Sequence, residues 1–174
     1  MRSFVAVDLP KEMKAKLAEL SAKLPEERIK QVDAQNLHIT LMFLDELDEK
    51  KAWKVGKCLE RISFPKFSIT LKGIGAFPNE RYPKIVWAGC ESAELNELAK
   101  KVREALAEFE FEDERFSPHV SIARVKGDVE LADFFEANKN FEGGTVVVRD
   151  FSLKKSILKP NGPAYGNIQK FELK

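Results

Sequence analysis

The chain carries two histidines, and they stand in matching settings: Leu37-His38-Ile39-Thr40-Leu41 and Pro118-His119-Val120-Ser121-Ile122. Each reads histidine, β-branched aliphatic, hydroxyl, aliphatic. Side chains alternate between the faces of a β-strand, so His38 and Thr40 share one face while Ile39 and Leu41 take the other. His119 and Ser121 relate in the same way to Val120 and Ile122. Each motif therefore presents an imidazole and a hydroxyl about 7 Å apart along a strand whose opposite face is apolar.

Histidine gives or takes a proton near neutrality, its unperturbed pKa being about 6.5. Two of them, one neutral and one protonated, make a general base and a general acid for a single displacement. Phosphodiester cleavage suits such a pair: one imidazole deprotonates the attacking oxygen, and the other protonates the oxygen departing on the far side of phosphorus. The Thr40 and Ser121 hydroxyls, with backbone amides, can donate to the non-bridging oxygens as their charge grows. This chemistry calls for no metal and no cofactor. Competing chemistries lack their residues. No His or Cys cluster has metal-ligand spacing, and no Gly-x-Ser-x-Gly elbow is present. Gly56-Lys57 lacks the upstream glycine and the following Ser/Thr of a phosphate-binding loop.

The elements around the motifs repeat. His119 follows His38 by 81 positions, and the strand-like Phe4–Asp8 has a counterpart at the same step in Ile85–Gly89. Met13, Leu17, Leu20 and Leu24 have helical spacing over Pro10–Leu24, and Leu95, Leu98, Val102, Leu106 and Phe109 repeat it over Ser92–Phe109, with Ser92 as an N-cap. After each histidine strand an acidic start, Asp48-Glu49 or Asp128-Val129-Glu130, leads into a second helix. Strands at Phe67–Leu71 and Phe151–Leu153 follow, and then the Pro-Asn turns at Pro78-Asn79 and Pro160-Asn161. Final strands run through Lys84–Cys90 and Asn167–Leu173. The order predicts an α+β fold over 1–174, one domain or two small lobes, with repeat halves of about 1–83 and 84–174. Two duplicated β-α-β-α-β units related by a pseudo-twofold axis would form two antiparallel or mixed sheets around a central cleft, with helices outside.

Composition narrows the partners. The 29 Lys+Arg against 28 Asp+Glu give a formal charge of +1, so contact with RNA must come from a local basic patch. Cys58 and Cys90 are too few for a disulfide framework and read as reduced structural thiols. No apolar run reaches membrane-spanning length, and Asp8 interrupts the N-terminal apolar stretch before a signal-peptide core could form. A cytoplasmic protein, monomeric and with no obligate protein partner, is expected.

Both motifs resemble the His-x-Thr/Ser-x signatures of the 2H phosphoesterase superfamily, and the wider chain is similar to its archaeal and bacterial RNA 2′,3′-cyclic phosphodiesterases, also called 2′-5′ RNA ligases. The resemblance runs from Arg2–Val7 through His38–Leu44 and Phe116–Arg124 to Ser156–Leu158 and Gly162–Tyr165. It implies a single bilobal domain with a pseudo-dyad and two mostly antiparallel sheets, and hydrolysis of a terminal 2′,3′-cyclic phosphate of RNA to a 2′-phosphate. His38 is then the proton donor to the leaving 3′-oxygen, His119 the proton acceptor from water, and Thr40 and Ser121 the phosphate ligands. An RNA 5′-hydroxyl in place of water would give ATP-independent 2′-5′ ligation. Two positions depart from the family pattern: Ser121 stands where threonine is commoner, and Asp45 where glycine is frequent. A non-catalytic module that binds cyclic-phosphate RNA ends is the alternative.

Arg124 belongs to the family's flank and is a third candidate phosphate ligand. Its parity relative to His119 turns it away from the cleft unless the strand ends or bulges. For base recognition the candidates are Tyr82, Tyr165, Arg81, Lys84, Lys154, Lys155 and Lys159, near the second-half turns and strands. Phe43 and Trp87, on apolar strand positions, are assigned to the core.

Overall fold

The computed structural model describes residues 1–112 and 114–174. Its strands are β1 (Arg2–Asp8), β2 (Ile29–Gln31), β3 (His38–Glu46), β4 (Phe67–Phe77), β5 (Ile85–Glu91), β6 (His119–Val125), β7 (Glu142–Val148), β8 (Asp150–Lys159) and β9 (Gly162–Glu172). The helices are α1 (Lys11–Ser21), α2 (Glu49–Glu60), α3 (Ala93–Ala105) and α4 (Ala132–Asn138). Every strand pairing is antiparallel, in a four-stranded sheet ordered β3-β1-β8-β9 and a five-stranded sheet ordered β2-β6-β5-β4-β7.

The helix boundaries follow from local chemistry. Asp48 caps α2, its Oδ1 accepting from the Lys51 amide at 2.7 Å, and Ser92 caps α3, its Oγ accepting from the Leu95 amide at 3.1 Å. The acidic start at Asp128 does not open a helix. α4 begins at Ala132, whose amide donates to Glu130 Oε1 at 3.0 Å, and it is only seven residues long. The predicted helix through Phe109 ends as α3 at Ala105, with a 3-10 turn over Ala107–Phe109.

The two halves of the chain interlock. β4, from the first half, pairs with β5 in the five-stranded sheet, while β8, from the second, pairs with β1 in the four-stranded one. Helices cross over too: α1 packs on β6 and β7, and α3 packs on β3. β7 and the short β2 are additions to the rhythm read from the sequence, and Lys84–Cys90 serves once, as β5, in place of its two entries in that scheme. Ile39 and Leu41 of β3, with Val120 and Ile122 of β6, join Leu17, Leu95 and Leu98 in one apolar core. The opposite faces of β3 and β6, whose strands also touch each other, carry the two histidines.

One irregularity positions the cleft. On β3, Thr40 pairs with Ala6 and Met42 with Val5, which leaves Leu41 as an extra, unpaired residue. On β6, Ser121 pairs with Trp87 and Ala123 with Val86, which leaves Ile122 in that place. The extra residue of a bulge reverses the alternation beyond it. The order of burial agrees: Ile122 and Ala123 are both buried, and Arg124 is exposed. Arg124 pairs with Ile85, on the face of Trp87 and Gly89, which pair with Ser121 and His119. It thereby returns to the histidine face.

The same device corrects the core assignment of Phe43. It pairs with Phe4 and is 61% exposed on the His38 face. Trp87 is half-buried on the His119 face, its ring lying over Gly75, where an added Cβ would strike the indole.

Candidate active site

His38 and His119 open β3 and β6, and each is held by the same local bond. His38 Nδ1 lies 2.6 Å from the carbonyl oxygen of Asn36, and His119 Nδ1 lies 2.6 Å from that of Ser117. A carbonyl only accepts, so both Nδ1 atoms carry hydrogen and both Nε2 atoms are left to take or deliver the working proton. His38 Nε2 lies 2.9 Å from Thr40 Oγ1, the imidazole and hydroxyl of one motif meeting as same-face neighbours. Asn36 is itself tied down, its Nδ2 donating to the Pro163 carbonyl at 2.9 Å.

Aromatic rings wall both imidazoles. The ring centroids of Phe4 and Tyr165 lie 5.0 and 5.2 Å from that of His38, and the centroid of Phe77 lies 5.0 Å from His119 with Trp87 at 6.5 Å. Burial among these rings lowers both histidine pKa values below the ordinary 6.5, because it penalises the charged form. The bonds to the Asn36 and Ser117 carbonyls act the other way. His38 also feels the Lys154 ammonium, which lowers its pKa further, the Asp8 carboxylate, which raises it, and the charge of His119, which lowers it.

The surroundings of the two histidines differ in one respect. Asp8 pairs with His38 across β1 and β3, whereas Gly89 holds the equivalent place beside His119. Asp8 Oδ1 is 3.0 Å from Lys154 Nζ, which donates to Asn167 Oδ1 at 2.7 Å. Lys154 is 7% exposed, its ammonium held by Asp8 and Asn167, whereas the base-recognition role considered for it calls for an exposed side chain. Tyr165 is a wall of His38. Lys84 donates to the Gly127 carbonyl at 3.0 Å, and Arg81 sits over the ring of its neighbour Tyr82, 5.6 Å from its centroid. Lys155 and Lys159 pair with Gly166 and Gly162 in the β8–β9 ladder. Asp8 and the two carbonyls escaped the sequence reading, since a backbone acceptor leaves no signature and Asp8 reads as the end of a strand.

Both cysteines are buried thiols, and burial pushes Cys90 up to about 12. Among the described residues no three His, Cys, Asp or Glu side chains are grouped to hold a metal ion, and no helix is long and apolar enough to cross a membrane.

The model of the family described as LigT like Phosphoesterase matches residues 7–87 and 89–165. The chain belongs to the LigT-like phosphoesterases. Among the relatives of this LigT-like phosphoesterase is the RNA 2′,3′-cyclic phosphodiesterase of Archaeoglobus fulgidus, 40% identical over 99% of this chain and 100% of that one. The protein of the same name from Methanocaldococcus jannaschii is 36% identical over 98% and 100%. A solved Thermus thermophilus structure superposes with a TM-score of 0.84 at 34% identity, covering 99% of this chain and 98% of its own. The E. coli LigT structure complexed with 3′-AMP gives 0.83 at 28% identity, covering 99% and 97%.

Proposed function

We propose that this LigT-like phosphoesterase hydrolyses the terminal 2′,3′-cyclic phosphate of RNA to a 2′-phosphomonoester, by metal-independent acid–base catalysis. The observation that carries the reading is the matched pair of imidazoles, each locked through Nδ1 to a carbonyl and each with a hydroxyl beside it on its strand. The names of the relatives and the 3′-AMP in the E. coli LigT structure support the substrate class.

Water attacks phosphorus while His119 Nε2 takes its proton. The bond from phosphorus to the 3′-oxygen breaks, and His38 Nε2 delivers a proton to that oxygen. Solvent exchange then resets the two protonation states. The lowered pKa of His119 supplies the neutral base directly. His38 must hold a proton against its burial, and the anionic phosphate favours this, as does Asp8, a carboxylate for which Gly89 is the counterpart beside His119. Thr40 on the His38 face, with Ser121 and Arg124 on the His119 face, suit the non-bridging oxygens, Arg124 in a bidentate grip. An RNA 5′-hydroxyl replacing water would form a 2′-5′ linkage by the same steps. With an RNA end as substrate, the protein acts alone in the cytoplasm.

The test is the product. An oligonucleotide ending in a 2′,3′-cyclic phosphate is incubated with the protein in EDTA and followed by phosphorus NMR. A 2′-phosphate is expected; a 3′-phosphate, or dependence on added metal, overturns the mechanism. Binding of the cyclic end with no turnover identifies a binding module instead.

A further inference from the structure

We infer that Lys30 holds the phosphate on the 5′ side of the terminal nucleotide, an assignment that rests on the RNA-end reading and extends it. β2 is a three-residue strand at the edge of the five-stranded sheet, and its register against β6 sets Lys30 directly opposite Arg124. Residues paired across two strands share a face, so Lys30 stands on the face of His119 and Arg124. The next residue agrees with that alternation. Gln31 exchanges bonds with Ser21 of α1, its Nε2 donating to the Ser21 carbonyl at 3.0 Å and its Oε1 accepting from Ser21 Oγ at 3.2 Å. Gln31 therefore turns to the helix side, and Lys30 turns the other way.

Like charges directly opposite each other destabilise a sheet. Lys30 and Arg124 are both exposed, and among the described residues neither makes an ion pair with a carboxylate. A lysine that only keeps an edge strand from pairing with another chain could stand opposite any residue. Opposite Arg124 it adds a repulsion that a bound anion relieves. Lys30 Nζ reaches the turn between β8 and β9, where it donates to the Asn161 carbonyl at 3.3 Å, and an added Cβ on Gly162 would lie 3.1 Å from the same nitrogen. One of its three donors is thus used, and the other two are open to a ligand. The guanidinium fork of Arg124 matches one phosphate by itself, which leaves the lysine, a point charge, for another. In an RNA that ends in a 2′,3′-cyclic phosphate, every other phosphate lies on the 5′ side of the terminal nucleoside. Neighbouring strands are about 4.8 Å apart, so the cation beside Arg124 suits the first phosphate along the chain.

The experiment compares kcat/KM for an RNA oligonucleotide 2′,3′-cyclic phosphate with that for the same oligonucleotide whose last internucleotide phosphate is an uncharged methylphosphonate. Wild-type protein should favour the charged substrate about fivefold or more, the order of one charged hydrogen bond. Lys30→Ala should lose that preference by slowing on the charged substrate alone, and Lys30→Arg should retain it. Added salt should erode the preference of the wild type. Lys54→Ala removes an exposed cation on α2 and should leave the preference unchanged. No preference in the wild type, an unaltered preference in Lys30→Ala, or a loss shared equally by both substrates overturns the assignment while leaving the phosphodiesterase in place. Wild-type protein that turns over neither oligonucleotide overturns the function, and the assignment with it.

Discussion

Leu41 in β3 and Ile122 in β6 hold matching places, each three residues after the histidine that opens its strand. Each is the unpaired member of a β-bulge, Leu41 opposite the Val5–Ala6 step and Ile122 opposite Val86–Trp87, and 81 positions separate them. A bulge next to a site re-aims the side chains that follow it. Here it re-aims Phe43 and Arg124, so each histidine face gains a third group.

For Arg124 the consequence is measurable. A guanidinium that grips phosphate contributes a charged hydrogen bond of about 1.5–3 kcal/mol, so Arg124→Ala should cost about tenfold or more in kcat/KM. Arg124→Lys, a point charge without the fork, should recover part of it. Steady-state kinetics with unchanged thermal stability checks both, and wild-type kinetics in Arg124→Ala would remove it from the site.

Much of this architecture was legible in the residues. The His-x-hydroxyl motifs, the helix spacings, the Ser92 cap and the Pro-Asn turns at 78–79 and 160–161 are local signals, and a step of 81 links the two histidine strands. What escaped depends on pairing. Phe43 sits on an apolar stretch and alternation sends it inward; only the register of β3 against β1 exposes the extra residue at Leu41. Lys154 reads as one of several second-half lysines until β8 is seen beside β1, where Asp8 and Asn167 hold it. The Asn36 and Ser117 carbonyls belong to the backbone and have no residue type to announce them.

The pH dependence follows from burial. Burial lowers both imidazoles below 6.5 in the free protein, and the proposed mechanism needs one proton on the pair. That proton is lost as pH rises, so kcat/KM should peak on the acid side of 6.5 and fall above it. Bound phosphate raises the histidine values, so the alkaline limb of kcat should lie at higher pH than that of kcat/KM. The fold has the matching dependence: rings kept neutral when folded contribute full stability above the unfolded 6.5, and lose it as pH falls through the lowered folded values. Rate profiles and thermal melts across pH 4–9 test this, and a kcat/KM limb above neutrality would contradict it.

Lys154 and Asp8 should move His38 in opposite directions. Removing the cation in Lys154→Met raises the His38 pKa, and removing the anion in Asp8→Asn lowers it. Proton NMR titration of the imidazole reads each shift without reference to activity, while His119 serves as the internal control. Shifts of the same sign in the two variants would show that the pair acts through structure and not through charge.

The most direct measurement is the rate of cyclic-phosphate opening in His38→Ala, His119→Ala and the double variant, with folding checked alongside. Each single change should slow the reaction by about 10²-fold or more, as the loss of a general acid or base does. The double change should cost little beyond either alone, because the two act as one unit. A near-normal rate in either single variant would contradict the paired mechanism.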